Sequence, residues 1–261
     1  MRLKIFQIDA FAENAFEGNP AAIIPLEEWL PDNTMQLIAQ ENNLAETAFY
    51  VSVEDGFHIR WFTPAAEVKL CGHATLASAF VLFTEFAHAA DKIIFNSLSG
   101  LLSVTRNGDL LTLDFPNQLP SRCEIPDELI QGLGVEPVEC LANEDYLAVL
   151  DDEESLLNLE PQALHLEQLD RRGVIATAPS SQYDFVSRFF APKFDILEDP
   201  VTGSSFTHLI PYWANRLGKQ KMIAKQISPR GGIVHCELNQ DRVLIGGKGV
   251  KFLEGEIFLD D

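Results

Sequence analysis

A chain of 261 residues that is 46% hydrophobic and carries 18 phenylalanines can build a sizeable core, which excludes a disordered chain. Its formal net charge of −20 repels phosphate backbones and anionic headgroups, so neither nucleic acid nor a membrane surface is expected as a partner. The length allows one large domain or two of about 100–150 residues. From the start, Leu3–Phe11 reads as a strand, because Gln7 and Asp9 interrupt the apolar run too early for a secretory leader. Asp32–Gln40 reads as a helix, and Ala48–Val53 and His58–Thr63 as strands. The apolar stretch Ala74–Ala90 contains Thr75, Ser78, Thr84, Glu85 and His88 and falls short of the roughly 20 apolar residues of a membrane span. It reads as a helix over Thr75–Phe86, apolar nearly all round and therefore buried. Strands Ile93–Asn96, Leu101–Thr105 and Leu110–Phe115 complete an α+β first half.

The proline-rich passage Phe115-Pro116-Asn117-Gln118-Leu119-Pro120, followed by Pro126, places a boundary between residues 118 and 119. Beyond it the alternation resumes, with strands at Tyr146–Leu150, Gly173–Ala178, Phe185–Phe190, Ile233–Leu238, Val243–Ile245 and Gly249–Phe252 and a helix at Ser205–Leu217. Pro211 lies too deep in that helix for a first-turn proline and predicts a kink or an early break. The last strand is free to pack back on the first half. The halves echo each other. Arg60-Trp61-Phe62-Thr63-Pro64 is repeated as Arg188-Phe189-Phe190-Ala191-Pro192, at 188 − 60 = 128, and Glu46-Thr47-Ala48 lines up with Ala176-Thr177-Ala178, at 176 − 46 = 130. A duplication is expected, with two similar α+β halves (1–118 and 119–261), each placing a buried helix inside its own curled sheet.

Each of those helices follows a glycine-bearing turn: Leu70-Cys71-Gly72-His73-Ala74-Thr75 and Glu198-Asp199-Pro200-Val201-Thr202-Gly203-Ser204-Ser205. Free N–H groups at a helix start attract carboxylate, and glycine lets a ligand approach the backbone. If the halves are related by a twofold axis, both turns meet at one cleft that holds a small anionic carboxylate; the bland alternative is that they only cap helices. Glu46, among small and apolar residues at the start of a strand, is expected to be partly buried. A sheltered carboxyl holds its proton closer to neutrality, as a proton-shuttling acid must. Only one half carries this acid, which suits proton transfer on a single face better than inversion of a stereocentre. His73, Asp199 and Ser204 are candidates to hydrogen-bond the substrate, with His73 a possible second relay.

Other chemistries find little support. There is no G-x-x-x-x-G-K-[ST] and no H-E-x-x-H, so no nucleotide cofactor or metal is expected. Cys71, Cys123, Cys140 and Cys236 are widely spread and form no C-x-x-C pair, which suggests neither a zinc knuckle nor a disulfide framework and fits a reducing cytoplasm. Ser204, His73 and Asp199 are the residue types of a hydrolase triad, although Ser204 lacks the G-x-S-x-G elbow. A non-catalytic metabolite-binding protein is the remaining rival.

The runs Phe16-Glu17-Gly18-Asn19-Pro20-Ala21-Ala22, Asn43-Leu44-Ala45-Glu46-Thr47-Ala48-Phe49, Arg60-Trp61-Phe62-Thr63-Pro64, Cys71-Gly72-His73-Ala74-Thr75 and Glu198-Asp199-Pro200-Val201-Thr202-Gly203-Ser204 closely resemble the PhzF-like phenazine-biosynthesis isomerase family. That resemblance spans most of the chain. It implies the diaminopimelate epimerase-like fold, two pseudo-symmetric α+β halves each around a central helix. It implies a cofactor-free isomerase in which Glu46 is the general acid/base in the cleft between the halves. His73, Asp199 and Ser204 would contact substrate, and Gly72 and Gly203 would present backbone N–H groups to it. A cytoplasmic homodimer is implied as well. Cys71 without a second cysteine near Asp199 argues against the two-thiol racemisation of the epimerases and is read as a small packing residue.

Overall fold

The computed structural model describes residues 1–259. In chain order the first elements are β1 (Arg2–Ala10), β2 (Asn19–Leu26), α1 (Asp32–Asn42), β3 (Glu46–Val53), β4 (Gly56–Phe62), β5 (Glu67–Val68), α2 (Gly72–Thr84), β6 (Lys92–Ser97), β7 (Gly100–Asn107) and β8 (Leu110–Pro116). There follow β9 (Ser121–Arg122), α3 (Asp127–Leu133), β10 (Glu139–Ala142), β11 (Tyr146–Val149), α4 (Glu153–Leu157), α5 (Ala163–Leu166), β12 (Val174–Pro179) and β13 (Phe185–Phe190). The chain continues through α6 (Phe206–Leu217), β14 (Lys221–Gln226), β15 (Gly232–Asn239), β16 (Arg242–Gly247) and β17 (Gly249–Phe258).

Two compact units result. The first holds residues 1–114 and takes back the chain from Gly246 onward; the second is Phe115–Ile245. The join at 114/115 lies four residues before the 118/119 boundary expected from the proline-rich run. The returning segment is accounted for by β17, which pairs with β1 along nearly its whole length, from Arg2↔Phe258 to Ala10↔Gly249.

In the first unit β1 pairs antiparallel with β2, β2 parallel with β3, β3 antiparallel with β4, β4 parallel with β6, and β6 antiparallel with β7. In the second unit the same alternation of directions runs through β10, β11, β12, β13, β14 and β15. Both units are thus α+β, with mostly antiparallel sheets and one long buried helix apiece. In the first, α2 contacts β1, β2, β3, β7 and β17, so the sheet curls about it; of its thirteen residues ten are buried. In the second, α6 buries Phe206–Ala214, and the Trp213 ring stacks on Phe185 at 5.4 Å and 3° while its indole N–H donates to Thr177 Oγ1 at 3.0 Å. A second apolar layer lies on the other face of each sheet, built on Met35 and Ile38 of α1 in one unit and on Leu129, Leu156 and Leu166 of α3, α4 and α5 in the other.

Pro211 neither breaks nor shortens α6. A proline inside a helix orphans the carbonyl four residues back, here that of Thr207. That oxygen accepts instead from the backbone N–H of Gln118 at 2.9 Å, and the Thr207 hydroxyl donates to Gln118 Oε1 at 2.8 Å.

The repeat also has a register. Arg60 pairs across the ladder with Phe49, and Arg188 with Ala176. Matching Arg60 to Arg188 therefore matches Phe49 to Ala176, and Glu46, three residues before Phe49, to Gly173. The expected counterpart Ala176 is corrected accordingly. A side chain at residue 173 is excluded by packing, because a Cβ there would sit 2.7 Å from the Phe189 ring and 2.8 Å from the Phe190 carbonyl.

Candidate functional site

Glu46 opens β3, and its side chain is 14% exposed. His73 is the second residue of α2, buried to 5% exposure. Their side chains meet, with His73 Nε2 3.1 Å from Glu46 Oε2. The other ring nitrogen, Nδ1, faces Asn19 Nδ2 at 3.3 Å and Cys71 Sγ at 3.6 Å. Asn19 is wholly buried and is delivered there by a tight turn. Gly18 has φ +66°, and a Cβ at that position would strike the Ala10 carbonyl at 2.2 Å, so only glycine lets the chain lie this close to the end of β1.

The electrostatics of this group favour a charged imidazole. Burial opposes the charge on His73, but the neighbouring Glu46 carboxylate outweighs it, and the ring's pKa lies well above 6.5. Burial, reinforced by the charge of Glu46, pushes the Cys71 thiol up, which keeps it protonated. Cys71 is therefore more than filler: it is the N-cap residue of α2 and holds its sulfur against the histidine. The N-cap residue Cys71 makes no side-chain cap hydrogen bond to this helix start. Glu46, Cys71 and His73 bring ligand-type atoms within 4.8 Å of one another.

Asp199, Gly203 and Ser204 belong to the second unit, where the sequence motif folds into a loop and a 3-10 turn, Gly203–Ser205, that leads into α6. Gln226, wholly buried, clamps this loop: Thr202 N–H donates to its Oε1 at 2.9 Å, and its amide donates to the Asp199 carbonyl at 2.7 Å. The Thr202 hydroxyl donates to the Asp199 carboxylate.

Ser204 has a partner that sequence reasoning missed. Arg172 Nη2 donates to its Oγ at 3.0 Å while the same guanidinium grips Asp145, with Nε to Oδ1 at 2.9 Å and Nη2 to Oδ2 at 2.5 Å. Asp145 is fully buried. Arg172 directly precedes Gly173, the counterpart of Glu46, so the second unit places a neutralised Arg–Asp pair beside the position where the first carries its acid. A guanidinium cannot take a proton from a hydroxyl, and Ser204 so paired is a poor nucleophile.

An α+β chain of two like units, each with a buried helix against its sheet, has the epimerase-like fold. Within it, the family model for phenazine biosynthesis-like proteins (PhzC-PhzF) matches residues 8–255, and the chain belongs to that family. It is 49% identical over 259 residues to an uncharacterized isomerase of Pseudomonas aeruginosa, covering 99% of this chain and 100% of that one. The crystal structure of a PhzF-family phenazine biosynthesis protein from Enterococcus faecalis superposes with a TM-score of 0.97 at 48% identity, covering 99% and 100% of the two chains. A hydroxyproline epimerase from Agrobacterium vitis, solved with trans-4-hydroxy-L-proline, shares the fold at a TM-score of 0.65 and 9% identity, over 100% of this chain and 93% of that one.

Proposed function

We propose that this chain is an isomerase that works without a cofactor, with Glu46 removing a proton from one carbon of a small carboxylate and returning it to another. The observation that carries this reading is the Glu46 carboxylate, largely sheltered and 3.1 Å from the imidazole of His73 at the start of α2. His73 stabilises the carboxylate when it is charged and can relay its proton. The amides at Gly72 and Gly203, the Asp199 carboxylate and the Ser204 hydroxyl are the proposed substrate contacts. Because Arg172 donates to Ser204, the serine's own proton is free to donate outward, which suits an acceptor such as a substrate carboxylate. Gly173 at the counterpart of Glu46 leaves one acid, so a proton shift along one face is favoured over racemisation. The proposed setting is the cytoplasm, and the homodimer that the family resemblance implies remains part of the proposal.

A thermal-shift screen of small cyclic and unsaturated carboxylates, followed by NMR of each stabilising compound with the enzyme, tests the reading. Conversion of a stabilising carboxylate to a positional isomer supports it. Stabilisation without turnover or hydrogen exchange would instead make the chain a metabolite-binding protein, and stoichiometric labelling of Ser204 by a fluorophosphonate would point to a hydrolase.

A further inference from the structure

Cys123 and Cys140 are seventeen residues apart in sequence, yet the second unit sets them side by side. The β9–β10 ladder pairs Arg122 with Leu141 and Ser121 with Ala142. One step further along the same register Cys123 stands opposite Cys140, and its backbone N–H donates to the Cys140 carbonyl at 3.1 Å. The two sulfurs are 3.4 Å apart, and both are free thiols. Directly opposed residues of a hydrogen-bonded antiparallel pair have Cα atoms about 5.5 Å apart, inside the span a disulfide bridges, and the sulfurs need to close by only about 1.4 Å to reach bonding distance. Cys123 is exposed, whereas Cys140 is buried in the apolar layer with Leu129 and Tyr146.

We propose that Cys123 and Cys140 form a peroxide-sensitive dithiol that oxidation closes into an intrachain disulfide. The exposed Cys123 thiolate attacks the peroxide O–O bond, becoming a sulfenic acid and releasing hydroxide. Cys140 sulfur then displaces the sulfenic oxygen, its proton leaving with that oxygen as water. Overall two thiols and one hydrogen peroxide give one disulfide and two waters. Burial, with Cys123 adding to it, pushes the Cys140 thiol up to about 12, so it is the exposed partner that meets the oxidant first. The bridge would tie β9 to β10 and close the segment that contains α3. Cys71 and Cys236 are buried and have no neighbouring thiol within this arrangement.

The test uses the full-length protein, hydrogen peroxide as the oxidant and alkylation under denaturing conditions as the readout. Trypsin cuts after Arg122 and Arg171 and leaves both cysteines on one peptide, 123–171. The expected result is that this peptide becomes lighter by two hydrogens and unreactive to iodoacetamide, that dithiothreitol restores both thiols, and that Cys71 and Cys236 remain alkylated. Cys123→Ser, an exposed substitution that spares the core, should leave Cys140 reduced at the same peroxide dose. Overoxidation of Cys123 to sulfinic acid with Cys140 still alkylated would overturn the proposal. So would a disulfide between two chains, or oxidation confined to Cys71 or Cys236.

Discussion

His73 turns one ring nitrogen to Glu46, 3.1 Å away, and the other to Asn19 and Cys71. A raised histidine pKa means that the charged ring stabilises the fold fully below its unfolded value of 6.5 and that this contribution is lost as pH rises through the folded value. Titration of the His73 ring carbons by NMR should give a midpoint above 6.5, and Glu46→Gln should lower it; a wild-type midpoint below 6.5 would show that burial wins over the neighbouring acid. Glu46, Gly72 and His73 were legible in sequence because a short motif carries each of them. Arg172 and Asp145 were not: they lie twenty-seven residues apart in a stretch of ordinary surface-like charge, and only the β11–β12 register brings them to Ser204. Ser204→Ala should raise KM for any carboxylate substrate by more than it lowers kcat, and Arg172→Met should do so less strongly if Arg172 acts through Ser204.

Among the elements, the clearest trace of duplication is a pair of arginines. Arg60 grips Glu67 at 2.7 and 2.8 Å, and Arg188 grips Glu198 at 2.7 and 2.9 Å. Each guanidinium lies over the phenylalanine two residues on, Phe62 at 5.2 Å and Phe190 at 5.1 Å. The second pair is the deeper one, because Arg188 also donates to the Leu156 and Leu159 carbonyls at 3.1 and 2.9 Å. Arg188→Met leaves the largely sheltered Glu198 carboxylate without its partner and should cost about 3–5 kcal/mol in urea unfolding, clearly more than Arg60→Met. Leu76→Ala on α2, whose side chain is wholly buried, should cost about 2–5 kcal/mol; a loss under 1 kcal/mol would contradict its place in the core. Most of the long strands and helices were legible because apolar periodicity marks them; β2, eight residues long, was not, because its small and apolar residues are buried nearly throughout and do not alternate. Helices α3, α4 and α5, of seven, five and four residues, are too short to show a period. Strand β14 was hidden because the residues it turns inward, Met222, Ala224 and Gln226, include a small and a polar one. Strand β17 outruns its expected end at Phe252 because pairing with β1, not burial, holds its exposed half.

For the whole molecule, a net charge of −20 is a self-repulsion that salt screens. The melting midpoint should therefore rise between 10 mM and 300 mM sodium chloride; a fall would mean that surface ion pairs outweigh the net charge. Among the described residues no helix is long and apolar enough to cross a membrane. The repeat was visible in sequence from Arg60 and Arg188, yet its offset drifts, from 176 − 49 = 127 at the strand before each arginine to 203 − 72 = 131 at the glycine that opens each turn. The drift reflects a longer connection in the second unit, where Pro192–Phe194 form a 3-10 turn, and it explains why matching by a constant offset paired Glu46 with the wrong residue. The central claim, that one carboxyl group moves the substrate's proton, is tested most directly in deuterium oxide. With a carboxylate that the wild type isomerises, the wild type should exchange solvent deuterium into substrate or product. Glu46→Gln should bind the same compound within a few-fold and incorporate none, and undiminished deuterium uptake by that variant would contradict the account.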